Sequence, residues 1–272
     1  MKKRAAIFCV FCAIMLCLCA CGNHTQSDEA TPVEETSETT TKESTTAEDT
    51  DATFYEEETR KVYPGLNKGD PNEYPYKIAT YTTYYKKSDQ TRTNNLTTAA
   101  SAINNIVVPQ DGIFSFNQTV GKRTVTGGYS SAKVIVDDEF VDGLGGGVCQ
   151  VSSTVFECVL RANAEIVERT NHSLAISYVP MGGDATVQWN TLDFKFKNTV
   201  GSDILLTMEC NGGNLVCCVY AKDNINVGNV SVDIKKSGDK YTLTRYVNGK
   251  QNYKTVSKYR EAKKIITKGH TS

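Results

Sequence analysis

The stretch GGGVCQVSSTVFECVLRA, residues 145–162, joins three consecutive glycines to a segment with helical periodicity. The apolar residues of one face recur at intervals of three or four and are Val151, Val155, Val159 and Ala162. This spacing predicts a helix over residues 150–162. Because glycine allows tight turns and close backbone approach, the stretch predicts a glycine loop that leads into a helix packed against a core.

Outward from this helix, strand patterns dominate the sequence. Alternation of apolar and polar residues predicts strands at 77–87, 113–116, 173–180, 184–190 and 193–199, and hairpins at 132–143 and 203–221. A second helix is predicted over 92–108, with Thr93 or Asn94 as its N-cap. Residues 222–272 read as a C-terminal β-meander that continues the same domain. The predicted fold class is therefore α+β, mostly antiparallel sheet with two main helices.

The N-terminus has the form of an export signal. Positive charges at residues 2–4 precede an apolar run over 5–20, which is short for a membrane span. The run ends in LCACG, which resembles the bacterial lipoprotein box. We therefore expect a lipoprotein signal peptide at 1–20 and lipidation of Cys21, with ordinary cleavage and free secretion as the alternative.

Residues 21–59 are rich in threonine, serine and acids and contain few large apolar side chains. Such a composition predicts a disordered tether. Within it, twelve Asp and Glu oppose one Lys, so that residues 60–272 carry a net charge of +7. A basic domain on the extracellular face of the membrane would meet anionic wall polymers, whereas export argues against a nucleic-acid partner.

Ten cysteines occur in the chain, but half of them lie at or before Cys21. The remaining five are Cys149, Cys158, Cys210, Cys217 and Cys218. Their odd number predicts at least one free thiol, and their spacing does not match a metal site. In the second hairpin, alternation places Cys210 and Cys217 on the core face. No cofactor and no metal are expected.

Cys149 combines features of a reactive thiol. It follows the loop Gly145, Gly146, Gly147 and precedes Gln150 at the start of the predicted helix. A helix N-terminus favours an anion, so the thiol should ionise more readily than usual. The same backbone N–H groups of this loop are candidates for holding an oxyanion during acyl transfer.

A thiolate of this kind needs a proton partner, and His172 is the histidine inside the predicted domain. His24 lies in the tether and His270 at the C-terminus. His172 begins the predicted strand HSLAISYVP. From the residues alone two interpretations remain. Either His172 pairs with Cys149 in nucleophilic catalysis, or it makes a strand-edge hydrogen bond while Cys149 is buried and inert.

Several motifs occur in an order that resembles one known family. They are FSFNQTVGKRT, GGGVCQVSSTVF, EIVERTNHSLAISYVP, GGDATVQW and DFKFKN, spread over about residues 76–221. They resemble the VanW domain, named from glycopeptide-resistance clusters and found in exported wall proteins. Members of that family have been assigned as L,D-transpeptidases with the cysteine of the glycine motif as nucleophile. The resemblance implies a catalytic domain over 60–221, with Cys149 as nucleophile.

The histidine of the family's HS pair corresponds to His172, followed by Ser173. The resemblance implies a lipid-anchored enzyme that forms a thioester with a peptidoglycan stem peptide and transfers it to an amine of another stem. A non-catalytic wall-binding module and a Cys-His hydrolase are the alternatives. Lys122 and Arg123 are candidates for binding a substrate carboxylate, with solvated loop charges as the alternative. Tyr129 is a candidate for the cleft, with a packed core aromatic as the alternative, and Ser173 is a candidate for substrate binding. Asp184 is a candidate for orienting His172, with a role in the turn after Gly182 and Gly183 as the alternative.

Overall fold

The computed structural model describes residues 65–261. The predicted signal peptide, the lipidation site Cys21 and the tether at 21–59 lie outside the described residues. Within the described part, no helix has the length and apolar character needed to cross a membrane.

Helices and strands follow one another as β1 Tyr76–Tyr84, α1 Gln90–Ile103, β2 Ile106–Val108, β3 Ile113–Ser115, α2 Phe116–Val120, β4 Ser131–Val136, β5 Glu139–Leu144, α3 Val148–Arg161, β6 Glu165–Glu168, β7 Lys195–Lys197, β8 Ile204–Asn211, β9 Asn214–Ala221, β10 Val230–Ser237, β11 Lys240–Val247 and β12 Lys250–Lys258. A short 3-10 turn over Pro71–Glu73 precedes β1. The strand pairs between these elements are all antiparallel, which confirms the α+β class.

The core lies between the two longer helices and a four-stranded sheet in the order β1-β9-β8-β2. Helix α3 packs against β1 and β9, and α1 packs against β8. Val151, Val155 and Phe156 of α3 have no exposed surface. The glycine loop predicted from the sequence therefore leads into the most deeply buried helix of the described chain. Because the residues of this helix are tightly packed, the position of its first turn, which contains Cys149, is fixed.

Three smaller sheets surround this core. Strands β3, β7 and β6 form one, β4 and β5 form a hairpin directly before α3, and β10-β11-β12 form the predicted C-terminal meander. The meander is attached to the C-terminal end of α3 by Arg245, which is buried and donates to the carbonyls of Leu160 and Ala164. A cation at a helix C-terminus is favourable because the last carbonyls lack partners in the helix.

The predicted hairpin at 203–221 is present with the expected faces. Met208 pairs with Cys217 and Cys210 pairs with Leu215, so these side chains share the core side of the sheet. Cys217 is fully buried and Cys210 is partly buried. The five cysteines between residues 65 and 261 are free thiols.

The second predicted helix was extended too far, and its N-cap was misplaced. Helix α1 begins after Asp89, whose carboxylate accepts from the N–H of Arg92, and it ends at Ile103. Asn105 then adopts a φ of 67°, and residues 106–108 turn into a strand against β8. Asparagine tolerates this left-handed conformation, and the β-branched residues that follow favour a strand.

The strands predicted at 173–180 and 184–190 are also wrong. These residues form irregular backbone with only isolated bridges, from Leu174 to Arg260 and from Gln188 to Leu192. Serine hydroxyls take the place of a strand partner at Ala185, whose carbonyl accepts from Ser152 at 2.6 Å and whose N–H donates to Ser153 at 2.9 Å. The loop that carries His172 is therefore fixed to α3 by side chains rather than by a sheet.

Candidate active site around Cys149

Cys149 is a partly exposed residue in the first turn of α3, a helix that is otherwise almost entirely buried. Every other residue of α3 from Val148 to Leu160 is buried, whereas the Cys149 side chain is partly exposed. Its Sγ lies 3.4 Å from the carbonyl of Val187. The N-cap is Gly147, which makes no side-chain cap to the first turn. Cys149 thus lies at a helix N-terminus without a side-chain cap, where the N–H groups of Val148 and Gln150 donate to the carbonyls of Gly145 at 3.1 Å and Gly147 at 2.8 Å.

The glycines before Cys149 are required by the backbone. Gly147 has a φ of 109°, a left-handed value that glycine adopts without strain. A Cβ on Gly146 would lie 2.5 Å from the carbonyl carbon of Ala132 and 2.7 Å from the carbonyl oxygen of Lys133. The loop must therefore run directly against strand β4 to bring Cys149 to the surface.

His172 lies next to the thiol and is held by Asp184. The imidazole Nδ1 is 2.6 Å from Oδ2 of Asp184, and the backbone N–H of His172 donates to the same oxygen at 2.7 Å. The other ring nitrogen, Nε2, lies 3.4 Å from the hydroxyl of Tyr178. Because Asp184 occupies Nδ1, Nε2 is the nitrogen left to exchange a proton with Cys149.

The pKa values of the thiol and the imidazole are coupled. Burial alone would raise the pKa of Cys149, but the hydrogen bond to His172 and the charge of its ring bring that pKa below its ordinary value. Burial alone would lower the pKa of His172, but its hydrogen bonds to Asp184 and Cys149, and the charges of both, raise it to about 9. These opposite shifts move the proton equilibrium between the two side chains toward a thiolate facing an imidazolium.

Asp184 is buried and has charged or polar partners on every side. Its Oδ1 lies 3.2 Å from Nη2 of Arg169 and accepts from the hydroxyl of Tyr259. Burial would raise the pKa of Asp184, but the hydrogen bond and charge of His172 and the charge of Arg169 hold it below its usual value. Asp184 is therefore an anion that can fix the tautomer and stabilise the charge of His172.

Two other parts of the chain complete this arrangement. Arg169 also donates to the carbonyl of Gly182 at 3.0 Å and to the hydroxyl of Ser257 at 2.9 Å. The hydroxyl of Tyr259 accepts from the N–H of Gly182 at 2.6 Å. Ser257 belongs to β12 and Tyr259 follows it. The C-terminal meander thus contributes directly to the surroundings of Asp184.

Of the predicted site residues, Cys149, His172 and Asp184 come together. Ser173 is adjacent and uses its carbonyl to accept from the N–H of Arg260. Arg123 lies near enough for its charge to act on Cys149, and its Nη1 donates to Asn117 and Gly121.

The remaining candidates have other positions. The backbone N–H of Gln150 donates to the carbonyl of Gly147 at 2.8 Å, and its side-chain N–H groups donate to Thr83 and to the carbonyl of Tyr84. These donors are therefore not directed at an oxyanion. Tyr129 is 5% exposed and packs in the core, and Lys122 is exposed.

Sequence reasoning did not find Arg92, Arg169, Tyr178 or Tyr259. Arg169 and Tyr178 lie within the motif that contains His172, but nothing in the order of residues tells a buried arginine from a solvated one. Tyr259 reaches Asp184 through the folding of the meander, which has no local signature. No cluster of His, Cys, Asp and Glu suited to a metal ion occurs among residues 65–261.

Residues 91–220 match the profile of the family described as VanW like protein, and this segment contains Cys149, His172 and Asp184. Residues 91–220 belong to the VanW family. Tyr259 and the meander lie beyond the matched segment of the VanW domain.

The chain is similar to two curated proteins. The uncharacterized protein YoaR of Bacillus subtilis is 45% identical over 149 residues, covering 55% of this chain and 49% of the relative. The vancomycin B-type resistance protein VanW of Enterococcus faecalis is 22% identical over 161 residues, covering 56% of this chain and 58% of the relative. The chain thus spans about half the length of the curated relatives it matches. No solved structure matches the chain.

Proposed function

We propose that this protein is a cysteine-dependent acyltransferase of the cell wall, an L,D-transpeptidase acting on peptidoglycan stem peptides. The observation that carries the proposal is the partly exposed Cys149 thiol facing His172, whose ring is hydrogen-bonded at 2.6 Å to the buried Asp184. A nucleophile, a base and an orienting carboxylate in this order are the parts of nucleophilic acyl transfer.

In the first step, the thiolate of Cys149 attacks the carbonyl carbon of the amide between a diaminopimelate and a D-alanine, and a C–S bond forms. The carbonyl oxygen becomes an anion close to the N-terminus of α3, where the positive end of the helix dipole stabilises it. The imidazolium of His172 then gives its Nε2 proton to the amide nitrogen as the C–N bond breaks. D-alanine leaves and the peptide remains on sulfur as a thioester.

In the second step, the side-chain amine of another stem attacks the thioester. Neutral His172 takes the proton of the attacking nitrogen, a new amide bond forms and the C–S bond breaks. The thiolate and the imidazolium are regenerated, so the cycle needs no cofactor. Water in place of the amine would give hydrolysis through the same steps, and the acceptor therefore distinguishes a transpeptidase from a hydrolase.

The substrate class and location come from outside the site geometry. They are supported by the VanW family and by a relative named for vancomycin resistance. The N-terminal sequence supports lipid anchoring at Cys21 on the extracellular face of the membrane. The charge of +7 over residues 60–272 supports attraction to anionic wall polymers, which would keep the domain near its substrate.

The test is incubation of the purified protein with a disaccharide tetrapeptide, followed by intact-mass and product analysis. The expected result is a peptide adduct on Cys149, release of D-alanine and a cross-linked dimer. Cys149→Ala should abolish all three, while Cys210→Ala, at a partly buried thiol of the β8–β9 hairpin, should not.

Each other outcome identifies an alternative. A tripeptide product without dimer would indicate a hydrolase. Binding without adduct or product would indicate a wall-binding module. Cross-linking that persists in Cys149→Ala would contradict the mechanism itself.

A further inference from the structure

A second charged group, Arg92, lies at the start of α1 beside the glycine loop. A Cβ on Gly147 would lie 3.1 Å from Cγ of Arg92, so the arginine stem packs directly against the residue that precedes α3. The guanidinium Nη2 donates to Oε1 of Gln150 at 2.8 Å. Arg92 is therefore held in place, half-buried, at the same loop that presents Cys149.

The partners of Arg92 differ from those of most other arginines. Arg161, Arg169 and Arg260 each form an ion pair with a carboxylate. Within residues 65–261, no carboxylate lies within ion-pair distance of Arg92, and its side-chain hydrogen-bond partner is the neutral amide of Gln150. A half-buried guanidinium without an anion is suited to binding one, since its planar donors match a carboxylate in geometry and charge.

Tyr178 connects Arg92 to the proton donor of the site. The Arg92 guanidinium lies over the Tyr178 ring, 6.0 Å from its centroid, and the Tyr178 hydroxyl is 3.4 Å from Nε2 of His172. The Tyr178 side chain therefore contacts both Nε2 of His172, the nitrogen that protonates the leaving group, and the guanidinium of Arg92.

The chemistry of the proposed reaction puts a carboxylate on that path. The departing nitrogen must approach Nε2 of His172 to receive its proton. In an α-amino acid leaving group, the carboxylate carbon is two covalent bonds from that nitrogen. A leaving group that extends along Tyr178 thus brings its carboxylate toward Arg92.

We propose that Arg92 binds the free carboxylate of the departing amino acid, so that the site selects donor peptides whose scissile amide is the last in the chain. This inference rests on the proposed function, because it assigns a leaving-group subsite to the same reaction. It gives Arg92 a different task from Arg123, which lies against Gly145 and donates to Asn117 and Gly121.

The experiment compares two stem tetrapeptides that differ only at the C-terminus, one ending in a carboxylate and one in a carboxamide. Their affinities are measured in the Cys149→Ala background, where no turnover occurs. The carboxylate peptide should bind about tenfold to a hundredfold more tightly, as expected for a charge-assisted hydrogen bond. Arg92→Gln should reduce its affinity to that of the carboxamide peptide and leave the carboxamide affinity unchanged.

Two further variants sharpen the comparison. Arg92→Lys keeps the charge but loses the planar fork, so it should retain only part of the preference for the carboxylate. Lys250→Gln removes a positive charge from the exposed end of β12, and this variant should retain the full preference for the carboxylate. The unfolding temperature of each variant, and its affinity for the carboxamide peptide, report whether the fold and the rest of the site are intact.

The inference would be overturned if Arg92→Gln still bound the carboxylate peptide more tightly than the carboxamide peptide. It would also be overturned if the Cys149→Ala protein with Arg92 intact bound the two peptides equally. Failure of the proposed function has a different signature. The protein with Cys149 would then form no adduct with the tetrapeptide, whatever the behaviour of Arg92 in the binding experiment.

Discussion

Arg169 and Asp184 form an ion pair in which both side chains are almost completely buried, 2% and 0% exposed, with Nη2 and Oδ1 3.2 Å apart. Asp184 of this pair is also hydrogen-bonded to the ring of His172. Arg169 compensates the charge of a carboxylate that would otherwise be costly to bury, and Asp184 in turn supports the imidazolium. The charge of the candidate site is therefore maintained by interacting groups that run from the buried Arg169 through Asp184 and His172 to the partly exposed Cys149.

Replacing Arg169 by Met should destabilise the protein strongly, because the substitution removes the guanidinium that pairs with Oδ1 of the buried Asp184. Removal of one partner from a buried pair costs about 3–5 kcal/mol. Equilibrium unfolding in urea measures this change. Lys133→Met is the matched control, since its ion pair with Asp142 is exposed and should contribute little. Equal stability of the two variants would contradict the structural role of Arg169.

The rate of thioester formation should fall as the pH rises through about 9. The pKa of His172 is raised to about 9, so above that pH the imidazole has lost the proton that the leaving nitrogen requires. On the acid side the rate should fall where the thiolate of Cys149 becomes protonated, at a pH below the ordinary pKa of a cysteine. Single-turnover adduct formation with the tetrapeptide, followed by mass across the pH range, gives this profile.

Asp184→Asn should shift the alkylation profile of Cys149 to higher pH. An asparagine weakens the hydrogen bond, and removes the charge, by which Asp184 raises the pKa of His172, so the imidazolium becomes less populated and stabilises the thiolate less. The rate of reaction with iodoacetamide as a function of pH reports the thiolate without any substrate. Asp142→Asn, at the surface, should leave the midpoint in place. An unchanged midpoint in Asp184→Asn would mean that the carboxylate does not act through His172.

The parts of the site that could be predicted from sequence are those set by local pattern or by the family resemblance. The helix that begins near Cys149 has a strong apolar period, so its position was predicted within two residues. The contact between His172 and Asp184 was only a candidate, because it depends on an irregular loop fixed by Ser152 and Ser153 rather than on a strand.

Other features depend on tertiary structure that no local pattern encodes. The apolar residues at 106–108 fit a helical period as well as a strand, and pairing with β8 decided between the two. Tyr259 comes from a meander that packs against the site from the other end of the chain, and the burial of Arg169 depends on partners in that meander. These contacts exist only once the separate elements have packed together.

Binding of the protein to purified cell walls should weaken as salt is added. Residues 60–272 carry +7, and attraction to anionic polymers is screened when the Debye length falls from about 10 Å at 0.1 M to about 3 Å at 1 M salt. Co-sedimentation over this range measures the bound fraction. A constant bound fraction would show that charge does not hold the domain at the wall.

Gly146→Ala should destabilise the fold and disturb the glycine loop. The added Cβ would lie within 2.7 Å of the backbone of Ala132 and Lys133, and backbone of a paired strand cannot move aside cheaply. An overpacked position of this kind costs about 1–3 kcal/mol, which urea unfolding would detect. At Gly65, among residues 65–261 and apart from its chain neighbours, no atom lies within 4 Å of the added Cβ, so Gly65→Ala should leave stability unchanged.

Tyr259→Phe should weaken both the fold and the reaction, because one hydroxyl serves two partners. It donates to Oδ1 of Asp184 and accepts from the N–H of Gly182. Burial, and the charge and hydrogen bond of Asp184, raise the pKa of Tyr259 well above its usual value, so the hydroxyl stays protonated and donates across the working pH range. Its loss leaves a buried carboxylate oxygen and a backbone N–H without this partner, at a cost of about 1–3 kcal/mol.

Urea unfolding and single-turnover adduct formation measure the two effects of Tyr259→Phe. Tyr84→Phe is the matched control, since Tyr84 is 72% exposed at the end of β1. If Tyr259→Phe were as stable and as reactive as Tyr84→Phe, the Tyr259 hydroxyl would contribute neither to the fold nor to the reaction. A loss in both measurements would instead extend the functional unit beyond the matched VanW segment to the residues after β12, because the hydroxyl that holds Asp184 lies there.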